Sequence, residues 1–122
     1  MGSRVTHFEI PSSNPEETMN FFKSTFDWNF QQLGKEDYWF AKTGGDDKPG
    51  INGAIMKRKH PNQPVTNAIS VDNIDHTIDC ITTNGGTLVV EKTAVPEAGW
   101  LAFFKDPDGN IHGLWQDDKE AK

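Results

Sequence analysis

A single cysteine, Cys80, rules out an intramolecular disulfide in this 122-residue chain and leaves a thiolate zinc site short of ligands. Cys80 falls inside an apolar helical pattern and reads as a small core residue. Long apolar runs are also missing. None approaches the roughly 18 residues of a membrane-spanning helix, and Met1-Gly2-Ser3-Arg4 is polar where an export signal would be apolar. The expected location is therefore the cytoplasm, with no membrane partner. Positive charge is scarce: 12 Lys and Arg stand against 18 Asp and Glu, a net charge of −6. That disfavours nucleic acid, whose phosphates reward clustered cations. Lys57-Arg58-Lys59-His60 is the one basic cluster, and it runs into Pro61 as a solvated strand end does.

What the chain does hold is a set of short periodic segments. Val5 to Ile10 alternates with period two and reads as a strand ended by Pro11, with Phe8 and Ile10 on one face and His7 and Glu9 on the other. Asn14-Pro15-Glu16-Glu17 is a helix start with Asn14 as N-cap, and Met19, Phe22 and Phe26 form its core stripe. Strands follow near 30–33, 37–42 and 51–57, with a Gly- and Asp-rich loop over 43–50. After the linker His60-Pro61-Asn62-Gln63-Pro64 the order restarts. A strand is expected at 68–71, a helix capped by Asn73 to about Thr83, a strand at 87–91 and a loop at 92–98. The closing hairpin, near 100–105 and 110–116, turns on Asp106-Pro107-Asp108-Gly109. Residues 117–122 read as a charged, frayed tail.

The order β-α-β-β-β therefore occurs twice. The two helix caps, Asn14 and Asn73, are 59 residues apart, and Asn52-Gly53-Ala54-Ile55 answers His112-Gly113-Leu114-Trp115 at a spacing of 60. A helix covers only one face of its sheet, so the other is left for a second module or another chain. Residues 4–116 are assigned to one domain, with module 1 at 4–59 and module 2 at 65–116. The doubled order, the opening His7-Phe8-Glu9-Ile10-Pro11 and the closing Asp-Pro-Asp-Gly…Gly113-Leu114-Trp115 resemble the vicinal oxygen chelate superfamily, which includes glyoxalase I, extradiol dioxygenases and the fosfomycin and bleomycin resistance proteins. The resemblance implies an α+β fold of two tandem βαβββ modules, forming a curved sheet cleft with the helices outside.

It also implies where a divalent metal would be held. The ligand Glu of glyoxalase I falls on Gly113, its repeat equivalent on Gly53, and the first-strand positions on Thr66 and on His7, or on Val5 when the alignment runs through Ile10. Glycine offers no ligand atom and a catalytic divalent site needs about three protein ligands, so no metal cofactor is expected. The expected function is a metal-free protein of the glyoxalase/bleomycin resistance type that binds a small organic ligand in an aromatic cleft between the modules. Candidate ligand contacts are Trp39, Gly53, Ile55, Thr66, Trp100, Gly113 and Trp115, with Ile51, Ile55, Ile111 and Trp115 assigned inward by parity and the facing of Trp39 and Trp100 left open. The alternative is a divergent metal-dependent lyase, isomerase or dioxygenase of the glyoxalase I type, with His7 and Glu9 as catalytic residues and a divalent ion as cofactor. A homodimer is the expected assembly.

Overall fold

The computed structural model describes residues 2–122, which form β1 (Arg4–Ser12), α1 (Pro15–Phe26), β2 (Asn29–Gln32), β3 (Tyr38–Lys42), β4 (Asn52–Lys57), β5 (Thr66–Ser70), α2 (Ile74–Thr83), β6 (Thr87–Val95), β7 (Gly99–Lys105) and β8 (Ile111–Asp117). The fold is mixed α+β with the β-α-β-β-β order repeated. Two compact units divide the described residues: His7–Val65, and Thr66–Lys122 together with residues 2–6.

In the first unit the strands lie in the order β2-β3-β4-β1, with β1 parallel to β4 and the other neighbours antiparallel. α1 begins as its sequence dictates. Asn14 Oδ1 accepts the Glu17 N–H at 3.2 Å, and Pro15 occupies the first turn, where its missing N–H costs nothing. The helix stops at Asp27, whose left-handed backbone (φ 63°) returns its N–H to the Lys23 carbonyl. α1 covers one face of the sheet through aromatic rings: Phe22 stacks on Trp28 at 4.6 Å between centroids, and Trp28 reaches Phe8 at 5.6 Å. Ile55 is completely buried, which stabilises the fold by about 1.5–3 kcal/mol. Pro11 does not end β1. It pairs with Met56 and the strand continues to Ser12, since a proline is tolerated near a strand end.

The second unit runs β5-β8-β7-β6, with β5 parallel to β8. Val71, Ile74, Ala102 and Leu114 form its buried core, with Ile78 and Ile81 of α2 packed against it. Cys80 is only half-buried, with its Sγ 3.6 Å from His76 Nε2 on the preceding turn. The expected loop at 92–98 is mostly strand: β6 reaches Val95 by absorbing two register shifts against β7, between Leu88 and Val90 and between Val90 and Thr93. Such irregularities hide a strand from a period-two reading. The tail is docked rather than frayed. The Glu97 N–H donates to the Ala121 carbonyl, the Asp118 N–H donates to the Ala98 carbonyl, and Ala121 is buried.

The Asp-Pro-Asp-Gly turn forms as read. Asp106 Oδ1 accepts the N–H groups of Asp108 and Asn110, and Gly109 takes a positive φ of 87°.

Candidate functional site

Register decides which side chains share a face, because aligned partners on neighbouring strands point the same way and successive residues alternate. In the first unit His7 aligns with Asn52, Phe8 with Gly53 and Glu9 with Ala54. Tyr38, Trp39 and Phe40 align with Met56, Ile55 and Ala54. Phe8, Gly53, Ile55 and Trp39 therefore lie on the face covered by α1. His7, Glu9, Tyr38, Phe40 and Ala54 lie on the opposite face.

On that opposite face the structure joins the two residues singled out from sequence through a third. His7 Nε2 is 3.1 Å from the Tyr38 hydroxyl, and Tyr38 donates its O–H to Glu9 Oε2 at 3.0 Å. Burial drives the chemistry of each member. It lowers the His7 pKa and so favours neutral imidazole. It raises the Glu9 pKa, while the Tyr38 O–H and the charge of Lys59 act to lower it. Tyr38 is pushed well above its ordinary value by burial, by the charge of Glu9 and by the hydrogen bond to it, so it remains a phenol. The arrangement can hold a proton donor or acceptor in a fixed orientation. Tyr38 escaped the sequence reading, although the alternation of Tyr38-Trp39-Phe40-Ala41 was available as a signal once one residue of β3 had been assigned to a face.

The structure does not bring Gly53, Ile55 or Trp39 to this face. A Cβ on Gly53 would sit 2.5 Å from the Phe8 ring and carbonyl, so its role is to let Phe8 cross β4. Ile55 is core, and Trp39 lines a cavity of about 370 Å³ between α1 and the β2–β3 hairpin, with Met19, Lys23 and Phe30. The error has one source. The spacing of 60 that matched Gly53 to Gly113 is one residue out, and a slip of one moves every side chain to the other face. At the helix-cap spacing of 59, Ile55 matches Leu114, both buried, His7 matches Thr66, and Gly113 matches Ala54.

In the second unit, Ala68 aligns with Gly113 and Ser70 with Trp115, while Phe103 and Leu101 align with Gly113 and Trp115 from β7. Gly113, Ile111 and Trp115 thus share the face opposite α2, as expected by parity, and Thr66 lies on the same face. Thr66 is buried. The Trp115 indole lies over Gly99, where a Cβ would meet it at 2.5 Å, and its N–H donates to Asp117 Oδ1 at 2.6 Å. Trp100 is not on this face. It packs on the α2 side, donates its indole N–H to Asp118 at 2.9 Å, and carries Lys92 Nζ 4.3 Å above its ring.

The fit of these residues to a divalent metal follows. In the first unit the matched positions opposite α1 are His7 and Ala54, which supply one imidazole and a methyl group; in the second unit those opposite α2 are Thr66 and Gly113, which supply one hydroxyl and a hydrogen. Among the described residues no three His, Cys, Asp or Glu side chains gather where an ion could sit. Glu9 shares the face of His7, but that pair still falls short of about three protein ligands. The residues present do not fit a catalytic divalent site.

A protein-family model described as Glyoxalase/Bleomycin resistance protein/Dioxygenase superfamily matches residues 4–112. A glyoxylase-like domain-containing protein of Didymella fabae is 27% identical over 117 residues, which covers 91% of both chains. CFP32 of Mycobacterium bovis, described only provisionally as a glyoxylase, is 25% identical over 113 residues; these cover 88% of this chain but 43% of that protein, so the chain spans less than half of it. The crystal structure of a hypothetical protein from Bacillus halodurans shares the fold, with a TM-score of 0.68 at 13% identity over 98% of this chain and 97% of that one.

Proposed function

The chain belongs to the Glyoxalase/Bleomycin resistance protein/Dioxygenase superfamily, and from that premise we propose that it binds a small organic ligand on the sheet face opposite its helix, without a resident divalent metal ion. The observation that carries this reading is what each unit offers at its matched strand positions, one imidazole in the first and one hydroxyl in the second. In place of a metal, the first unit offers the His7–Tyr38–Glu9 chain beside the aromatic ring of Phe40. A few fixed polar groups among apolar ones are what a small-molecule site requires. The second unit offers Trp115 and Thr66 on its corresponding face. The proposed assembly is a homodimer, which light scattering of the purified chain checks. No helix among the described residues is long and apolar enough to cross a membrane.

The test is a thermal-shift screen of chelator-treated protein against a broad library of small organic molecules. Binding without metal raises the melting temperature by mass action. An inert protein across the library, together with one that gains ligand binding only when a divalent ion is restored, would overturn the reading. A second reading, a glyoxalase-type lyase, isomerase or dioxygenase acting through His7 and Glu9, draws on the shared face of that pair. Turnover of a 2-oxoaldehyde–thiol adduct or a catechol that disappears in His7→Ala would establish it.

A further inference from the structure

We propose that the His7–Tyr38–Glu9 chain fixes Nδ1 of His7 as a hydrogen-bond acceptor, and that this atom, on the sheet face that also carries the exposed ring of Phe40, selects uncharged flat ligands bearing an O–H or N–H donor, phenols being the simplest class. The inference rests on the ligand-binding reading above and names the ligand.

Protons can be counted along the chain. The Tyr38 hydroxyl has one hydrogen, and it is given to Glu9 Oε2. Toward His7 the same oxygen can only accept, so Nε2 must carry the imidazole proton across the 3.1 Å contact. A neutral ring with its proton on Nε2 has a lone pair on Nδ1, and among the described residues no partner takes it. Nδ1 is open to solvent, since no buried side-chain nitrogen or oxygen among the described residues lacks a partner, so a ligand's donor can take the place of water on it. Burial keeps the ring neutral. Tyr38 on β3 bonds the ring and Glu9 on β1 bonds Tyr38, while the charge of Lys59, after β4, acts on Glu9. The carboxylate of Glu9 and the ammonium of Lys59 are of opposite sign, so this pair adds no net charge to draw an ionic ligand. Flatness comes from Phe40, which shares this face, meets Tyr38 edge-on at 5.4 Å between centroids, and is 44% exposed. An exposed ring held in this way is a stacking surface.

The experiment uses phenol and anisole, two rings of nearly equal size of which only the first has a donor, with the metal-stripped full chain labelled with ¹⁵N-histidine. The expected spectrum shows His7 neutral and protonated at Nε2. Phenol should shift the His7 Nδ1 resonance and bind about tenfold more tightly than anisole, the worth of one neutral hydrogen bond. Tyr38→Phe should remove most of that preference and release the tautomer, whereas Glu9→Gln, which keeps an acceptor for Tyr38, should retain it. A proton on Nδ1, or equal affinity for the two rings, would overturn the inference. If neither ring disturbs His7 while other compounds raise the melting temperature, this inference fails and the ligand-binding reading stands. A stoichiometric divalent ion held by His7 would remove that reading first and this one with it.

Discussion

Gly53 and Gly113 look alike in the sequence and meet different neighbours. Alanine at 53 would press a methyl group into the Phe8 ring and carbonyl at 2.5 Å, whereas at 113 the nearest atoms, the Asn67 carbonyl and the Phe103 ring, stand 3.2 and 3.3 Å away. Gly53→Ala should therefore lower stability by about 1–3 kcal/mol, the usual cost of overpacking, and Gly113→Ala by clearly less. Urea unfolding of the two variants checks this; equal costs would mean that the face assignments are wrong. Glu9 supplies a second prediction. Its folded-state pKa is raised above the ordinary 4.5 by burial, so its protonated form is the one favoured by folding. That contribution is full below pH 4.5 and is lost as pH rises through the raised value. Glu9→Gln keeps the acceptor for Tyr38 and removes the buried charge. Relative to the parent, the variant should gain stability at neutral pH, with the gain vanishing below pH 4.5. His7, whose pKa is lowered, works in the opposite sense: it costs stability as pH falls below 6.5 toward its folded value. The comparison therefore has to be made on the difference between the two proteins.

The closing hairpin can be judged as an element. Asp106 accepts from the backbone N–H groups of Asp108 and Asn110, from the Asn110 amide and from His112 Nε2 at 2.9 Å. The hydrogen bond from His112, followed by that from the Asn110 backbone, holds its pKa down at about 2. A lowered carboxylate pKa contributes stability above its ordinary value of 3.8, lost as pH falls through about 2. Asp106→Ala should lower the melting temperature at pH 7 and flatten the acid limb of the stability curve, both measurable by calorimetry. This element was legible because its signals are local: Pro, Asp and Gly each act within the turn itself. Both helix starts were legible for the same reason, with Asn14 and Asn73 accepting from the third residue onward. The far part of β6 was not, since its register shifts are set by β7 rather than by its own residues. Neither was the docking of the tail, where backbone groups of residues 97 and 98 meet 121 and 118. The site was half legible. His7 and Glu9 could be placed on one face by alternation, but Tyr38 reaches them from a strand about thirty residues away, and a one-residue slip in matching the modules carried Gly53, Ile55 and Trp39 to the wrong face.

For the molecule as a whole, the doubled β-α-β-β-β order and the family it belongs to say how the scaffold is built, and the side chains on it decide its chemistry. Correcting Gly53 to Ala54 leaves the ligand count unchanged, because a methyl group donates no more than a hydrogen does. Metal affinity is therefore the deciding property of the chain. The most direct measurement is calorimetric titration of the chelator-treated chain with Zn²⁺ and Ni²⁺, followed by elemental analysis after dialysis. The prediction is no stoichiometric site, and a profile unchanged in His7→Ala. One divalent ion retained per chain, and lost in His7→Ala, would contradict it.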